Sequence, residues 1–365
     1  MLRLLTAGES HGKQLTMILE GLPRGLKIDK DFLEQQLFYR RNVAGRSERQ
    51  KKEVDNVQIL SGVLDGVTTA APLTMVIENV MAEQKPPLYN LRPGHADYAG
   101  VVKYGLTDAR SVSERASARE TVLRTAAGAI AQMILKELFV EVLGYNCGIE
   151  GETYKQPQKE KWDLVKKNPY RCLPEDAEMA QARINLATAK GDSVGGKVEV
   201  IVRGLPAGFG DYNHYDKKLD AKLAYAAMSV QTVKAVEIGL GRGYEIITGS
   251  KAHDAMETVL GKIIRTSNNA GGIEGGVSNG EDVIVRCTVK PIPTIASALD
   301  SVNISTHTNE KGAYERSDVC AVPAASVILE NIIAFAVVNE ILENIGGDTM
   351  DEIVTRFMIK RGKNV

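Results

Sequence analysis

The chain opens on a short run rich in apolar residues, MLRLLTA, which predicts one strand ending at the turn GESHG, residues 8–12. Further on, IDKDFLEQQLFYRR (28–41) repeats Phe32, Leu33, Leu37 and Phe38 at helical spacing, with Asp29 or Asp31 placed to cap the helix. VDNVQILSGVLDGVTTAAPLTMVIEN (54–79) predicts two short strands around Gly62 to Gly66, a hairpin. The strongest helical pattern is SARETVLRTAAGAIAQMILKELFVEVLG (117–144), with an apolar face through Val122, Leu123, Ala126, Ile130, Ile134 and Leu138. Ser117 and Glu120 are spaced as a capping box, and Gly144 is placed to end the helix. Its many small residues predict close packing on both sides, hence a central layer. KVEVIVRG (197–204) and EDVIVRCTVK (281–290) alternate as half-buried strands do. KAHDAMETVLGKIIR (251–265) predicts a further amphipathic helix.

Between these elements, GETYKQPQKEKWDLVKKNPYRCLPEDAE (151–178) is polar and punctuated by proline. Strand signals resume after it, so it reads as an excursion within one domain spanning 1–365. No repeat at a solenoid period is visible. Strands flanked by turns and interleaved with long helices predict an α+β layered domain.

Composition adds exclusions. With 44% hydrophobic and 25% charged residues the chain is ordinary globular, with enough apolar residues for a sizeable core. Its net charge of −1 gives no overall basic field, so no nucleic-acid partner is expected. Cys147, Cys172, Cys287 and Cys320 have no C-x-x-C spacing, which argues against zinc or a dithiol motif and for reduced thiols in a cytoplasmic protein; no metal is expected. The N-terminal apolar run is too short for a signal peptide and meets a charge at Glu9. CAVPAASVILENIIAFAVVNEIL is interrupted by Glu330, Asn331, Asn339 and Glu340, and reads as a buried helix rather than a membrane span.

Candidate chemistry lies in four places. GESHG fits G-x-S-x-G, the nucleophile elbow, which would make Ser10 a hydrolase nucleophile. Only seven residues precede Gly8, whereas an elbow follows a strand deep in a mostly parallel sheet. The other readings are a plain turn after an edge strand and a turn that presents His11. RPGHADYAGVVKYG (92–105) puts His95 in a turn set by Pro93 and Gly94, a better acid/base setting than an apolar helix face.

Glycine is dense in GDSVGGKVEV (191–200), GLGRGYEI (239–246) and NNAGGIEGGVSNGED (268–282). Such loops provide left-handed turns or amides that cradle a phosphate, or else simply a mobile surface. No Walker or dinucleotide-binding pattern is present. Arginine clusters at Arg40, Arg41, Arg46 and Arg49, and again at Arg110, Arg115, Arg119 and Arg124. These are either solvated faces paired with Glu48, Glu53, Glu114 and Glu120, or a site for a highly anionic small substrate.

In order, the chain reads GESHG, DNVQILSGVLDGVTT, RPGHADY with KYG, SARET with AAGAIA, GDSVGGKVEV, MSVQTVKAVEIG, NNAGGIEGGVSNGED with KPIPT, and RSDVCAVPAAS. On these stretches it resembles chorismate synthase along essentially its whole length. The resemblance implies a β-α-β sandwich, a helical layer between two antiparallel sheets, in a homotetramer. It implies a lyase of aromatic amino acid biosynthesis in the shikimate pathway. That enzyme removes phosphate and a ring proton from 5-enolpyruvylshikimate 3-phosphate in a 1,4-anti-elimination to give chorismate. Reduced FMN is the implied cofactor, with NADPH or a separate flavin reductase as the source of electrons.

By the same resemblance His11 protonates the departing phosphate, His95 protonates the flavin, and Asp318 relays the proton from flavin N5. Flavin contacts fall on Arg115, Ala116, Ser117, Gln231, Thr232, Gly275, Lys290, Pro291, Ile292, Pro293, Thr294 and Arg316. Arg46 matches a position assigned to the reduced pyridine nucleotide, and Arg40, Arg46 and Arg110 are expected to meet the substrate's anionic groups. Two positions depart from the family pattern: Ser317 stands where R-H-D-P-C has histidine, and Ala116 where serine is common. The rival classes are another enzyme acting on a phosphorylated anion, such as a hydrolase using Ser10, and a non-catalytic flavin- or nucleotide-binding protein.

Overall fold

The computed structural model describes residues 1–46, 55–80, 82–315 and 317–362. Two four-stranded antiparallel sheets enclose a layer of helices. The first sheet consists of β1 (Arg3–Ala7), β2 (Gln14–Glu20), β3 (Val57–Ser61) and β4 (Leu73–Glu78), in the order β1-β2-β4-β3. Its inner face carries Leu15, Met17, Leu19, Leu73, Met75 and Ile77, all buried, while Leu5 and Ile18 face outward. β3 and β4 are joined as expected by a hairpin, whose tip turns at Asp65 (φ 50°) and Gly66 (φ 78°). An Asp-Gly pair with positive φ at both residues is the preferred tight-turn chemistry.

The second sheet holds β5 (Glu141–Ile149), β6 (Gly196–Arg203), β7 (Val233–Ile238) and β8 (Val283–Val289), in the order β5-β6-β8-β7. Between the sheets lie α1 (Lys30–Arg41), α2 (Thr121–Glu137), α3 (Leu219–Met228) and α4 (Val322–Ile345). Asp29 caps α1, accepting from the Phe32 N–H at 3.0 Å. α4 packs on α2, β5 and β6, and α2 on α1 and α4. Two glycines make this approach possible. A Cβ on Gly128 of α2 would run into the Asn331 carbonyl oxygen of α4, and one on Gly144 of β5 into the Ser326 carbonyl oxygen. α4 is long and apolar enough to cross a membrane, but 83% of its most apolar window is buried inside the fold. Its polar residues are engaged there: Asn331 with Gln36 and Gln132, Glu330 with Arg171.

Four local expectations are corrected. The helix predicted over 117–144 ends at Glu137; the chain turns at Phe139 (φ 54°) and continues as β5. Gly144 is therefore not a helix stop but a strand residue kept small by α4. The capping box does not form: Ser117 Oγ accepts from the Arg119 N–H at 3.2 Å, and Glu120 points elsewhere. Over 251–265 only the end of a short helix (Gly249–Ala252) is found; Met256–Val259 and Lys262–Arg265 pair as a hairpin around Leu260 and Gly261. The β-branched Thr258, Val259, Ile263 and Ile264 favour that form, and the hairpin is too exposed for a helical apolar face to matter.

The strands predicted to be half-buried are covered on both faces. The polar excursion is the cover. Trp162, Val165 and Leu173 pack on Leu143, Tyr145, Ile201 and Ile284 of the outer face. Arg171 anchors it from within. Its guanidinium, 1% exposed, pairs with Glu330 at 2.6 Å and donates to the Gly144 carbonyl at 2.7 Å.

Candidate active site

The GESHG turn leaves the edge strand β1 sharply. Gly8 has φ 109°, and a Cβ there would sit 2.6 Å from the Gln14 carbonyl oxygen, so the position admits only glycine. The short helix Arg110–Ala116 then grips the turn. The Ser10 N–H donates to the Glu114 carbonyl at 3.2 Å and the His11 N–H to Glu114 Oε2 at 2.8 Å. The His11 ring places Nδ1 at 2.9 Å from Oε1 of the same carboxylate. Arg115 staples the base of the turn, donating to the Gly8 and Thr6 carbonyls at 3.3 and 3.0 Å. Ser10 Oγ accepts from Ser117 Oγ at 3.1 Å. Among the described residues no histidine bonds Ser10, and β1 borders an antiparallel sheet; both facts remove the elbow reading.

His95 is held in a parallel way. Its Nδ1 lies 2.5 Å from Oδ1 of Asp97, a fully buried carboxylate. Arg92 grips Asp97 with Nε and Nη2, both at 2.8 Å, and Nη2 also donates to Ser113 Oγ at 2.7 Å. Burial pushes the Asp97 carboxyl up, but the hydrogen bonds from Arg92 and His95 outweigh it and hold the group well below the usual carboxylate range. Glu114 follows the same logic: burial raises it, and the bonds from His11 with the charge of Arg110 bring it below its ordinary value. Each histidine therefore commits Nδ1 to a carboxylate and keeps Nε2 for a ligand.

Hydrogen bonds carry the two histidine turns into one closed circuit. On one side, Ser113 beside Glu114 joins Arg92 and so the His95 turn. On the other, Lys290 Nζ donates to the Gly94 carbonyl at 2.6 Å, and the Lys290 N–H to the Thr232 carbonyl at 2.9 Å. Gln231 donates to Glu120 at 3.3 Å, and the Glu120 N–H reaches the Ser117 carbonyl at 3.4 Å. Ser117 returns to Ser10. The expected flavin residues Arg115, Ala116, Ser117, Gln231, Thr232 and the run Lys290, Pro291, Ile292, Pro293, Thr294 thus border the same region as His11 and His95. Burial, helped by the charge of Lys234, lowers the Lys290 ammonium.

The remaining expected residues stand differently. Asp318 pairs with Arg46 Nη1 at 2.7 Å, and Arg46 Nη2 donates to the Arg40 carbonyl at 3.2 Å. Arg40 is buried and donates to Ala118 O and Thr121 Oγ1 at 3.0 and 2.9 Å, so it supports the 118–121 turn from behind. Arg110 is shared between Glu315 at 2.8 Å and Glu114 at 3.5 Å. Gly275 lies in a two-residue turn next to the start of α3, where the Leu219 N–H donates to the Gly276 carbonyl. Gln231 follows the other end of α3, whose ten residues span about 15 Å, so Gly275 is apart from the circuit. Arg316, together with Arg49, Glu48 and Glu53, lies outside the described residues.

Sequence reasoning missed Asp97, Arg92, Ser113 and Glu315, and took Glu114 for an ordinary salt-bridge partner. The signal was there in part: Asp97 is two residues after His95, and Glu114 is one turn of helix after Arg110. Two buried polar atoms at this site, Gln231 Oε1 and Arg46 Nε, have no partner among the described residues. An acceptor and a donor left open, with the Lys290 ammonium and several hydroxyls at hand, fit a polar, anionic cofactor such as FMN. Among the described residues no group of His, Cys, Asp and Glu could hold a metal ion.

Comparison with known proteins gives the same direction. The family profile described as chorismate synthase matches residues 2–342. "Chorismate synthase 2" of Bacillus cereus is 43% identical over 96% of each chain, and the chorismate synthase of Bacillus cytotoxicus 44% over 96% of each. A solved structure described as a crystal structure of chorismate synthase aligns with a TM-score of 0.81 at 34% identity, covering 99% of this chain and 97% of that one. The chain belongs to the chorismate synthase family.

Proposed function

We propose that this chain eliminates phosphate and a ring proton from 5-enolpyruvylshikimate 3-phosphate to give chorismate, with reduced FMN bound beside the substrate. The family makes it a lyase of the shikimate pathway. One observation carries the residue assignment. His11 and His95 each engage a carboxylate through Nδ1, at 2.9 and 2.5 Å, and belong to one hydrogen-bonded circuit.

Breaking the carbon–oxygen bond leaves negative charge on phosphate, and a proton on His11 Nε2 neutralises it. His95 Nε2 holds a second proton at the site. Asp318, against Arg46, takes up the ring proton. Arg46 and Arg110 meet the substrate's anionic groups, while Arg40 holds the 118–121 turn behind them. Arg115, Ala116, Ser117, Gln231, Thr232 and Lys290 to Thr294 would hold FMN, whose reduced ring would supply an electron transiently. We assign the protein to the cytoplasm as a homotetramer, with FMN reduced by NADPH near Arg46 or by a separate flavin reductase.

The test is an anaerobic assay of chorismate and phosphate. Equal amounts of both with reduced FMN, and neither with oxidised FMN, is the expected result. Phosphate release without flavin would replace this reading by a hydrolase, and flavin binding without turnover by a binding protein.

A further inference from the structure

Each site carboxylate uses both of its oxygens. Glu114 Oε2 accepts the His11 backbone N–H at 2.8 Å while Oε1 faces ring Nδ1 at 2.9 Å. Asp97 Oδ2 accepts from the Arg92 backbone N–H and Nε at 3.1 and 2.8 Å, and Oδ1 faces Arg92 Nη2 and His95 Nδ1. An ionised carboxylate only accepts, so the ring nitrogen facing it carries the hydrogen; at His95 the 2.5 Å contact with Asp97 prevails over the longer 3.1 Å approach of Arg92 Nη2, itself a donor. The two pairs are also tied to each other. Glu315 receives Arg110 Nη1 at 2.8 Å and Arg92 Nη1 at 3.3 Å, while Arg110 reaches Glu114 and Arg92 reaches Asp97.

We propose that Glu114 and Asp97 are positioning residues that fix His11 and His95 as Nδ1–H tautomers, so that Nε2 is the working nitrogen of both, with Glu315 joining the two pairs through Arg110 and Arg92. The rate effect rests on the proposed elimination; the tautomer does not. Neutral imidazole in water favours the other tautomer, so the carboxylates have a preference to overcome. A glutamine at 114 has a single acceptor oxygen. Both Glu114 oxygens lie within 3.0 Å of Nδ1, so whichever way the glutamine amide turns, its N–H2 presents a donor to the ring nitrogen. An asparagine at 97 likewise has a single acceptor oxygen.

The test uses the full-length protein labelled with 15N-histidine. Its five histidines give five imidazole signals, assigned by single His→Gln variants. In the neutral-imidazole form, His11 and His95 should show the Nδ1–H pattern. Glu114→Gln should move His11 alone to the Nε2–H pattern, and Asp97→Asn His95 alone. In turnover, Glu114→Gln should lower kcat by about 10- to 100-fold with KM within about 3-fold, as expected when orientation of an acid–base group is lost. Glu114→Asp, which keeps two acceptor oxygens, should recover most of the Nδ1–H signal and part of the rate. An Nε2–H pattern for either histidine in the wild-type protein would overturn the proposal, as would an unchanged His11 pattern in Glu114→Gln. The wild-type spectrum decides the matter even if a variant fails to fold. Nδ1–H patterns in a protein that makes no chorismate would instead contradict the proposed function.

Discussion

Glu114 holds His11 by ring and backbone at once, Oε1 at 2.9 Å from Nδ1 and Oε2 at 2.8 Å from the backbone nitrogen. The grip fixes the turn and the imidazole together, although the two residues are 103 positions apart. It explains why a five-residue turn on a sheet edge, with no sheet partner of its own, presents a defined side chain.

Asp97 gives a stability prediction with a sign. Its carboxyl is held well below the usual range by Arg92 and His95. A carboxylate depressed on folding adds stability that is complete above its unfolded value, about 3.9, and is lost as pH falls through the folded value. Wild-type protein should therefore exceed Asp97→Asn in Tm at pH 7, and the gap should narrow steadily as pH is lowered below about 4. Thermal melts between pH 7 and pH 2.5 check this. A gap that widens on acidification would contradict it.

The four cysteines should be silent in the native protein. Cys147, Cys172, Cys287 and Cys320 are all buried, and burial pushes each thiol up to about 12. Thiolate is the reactive form. Titration with a thiol reagent at pH 8 should find none accessible in the folded protein and four after denaturation. Rapid native labelling of any one would refute the packing described here.

Gly128 and Gly144 should resist replacement. A Cβ at either would collide with a backbone carbonyl of α4, and backbone cannot swing aside as a side chain can. Gly128→Ala and Gly144→Ala should each cost about 1–3 kcal/mol, the range for overpacking, read by denaturant unfolding. Gly362→Ala, with no atom of the other described residues within 4 Å of the added methyl, is the neutral control. Equal stability of all three variants would show that the sheets and helices are not in the close contact described.

Much of the layered fold was legible because its apolar periods are strong. α1, the β3–β4 hairpin and the buried α4 follow from spacing alone. Errors arose where tertiary contact decides the conformation. Gly144 is small because of Ser326, far along the chain, and local pattern cannot distinguish that from a helix stop. Residues 256–265 satisfied a helical period with β-branched residues, and the exposed hairpin needed no core face to form. At the candidate site, the histidines were singled out by their glycine-bracketed turns and the family motifs. Their carboxylates were not, since Glu114 reaches His11 only through the fold and sits among charges that also suit a solvated helix.

The most direct measurement is the anaerobic rate of phosphate release from 5-enolpyruvylshikimate 3-phosphate with reduced FMN in wild type, His11→Ala and Ser10→Ala. His11→Ala should turn over about 10²-fold more slowly, the loss expected for a general acid, while still binding flavin. Ser10→Ala, which loses only the bond from Ser117, should fall by much less. Near-wild-type turnover in His11→Ala, with activity abolished in Ser10→Ala alone, would contradict the assignment of the chemistry to the histidine.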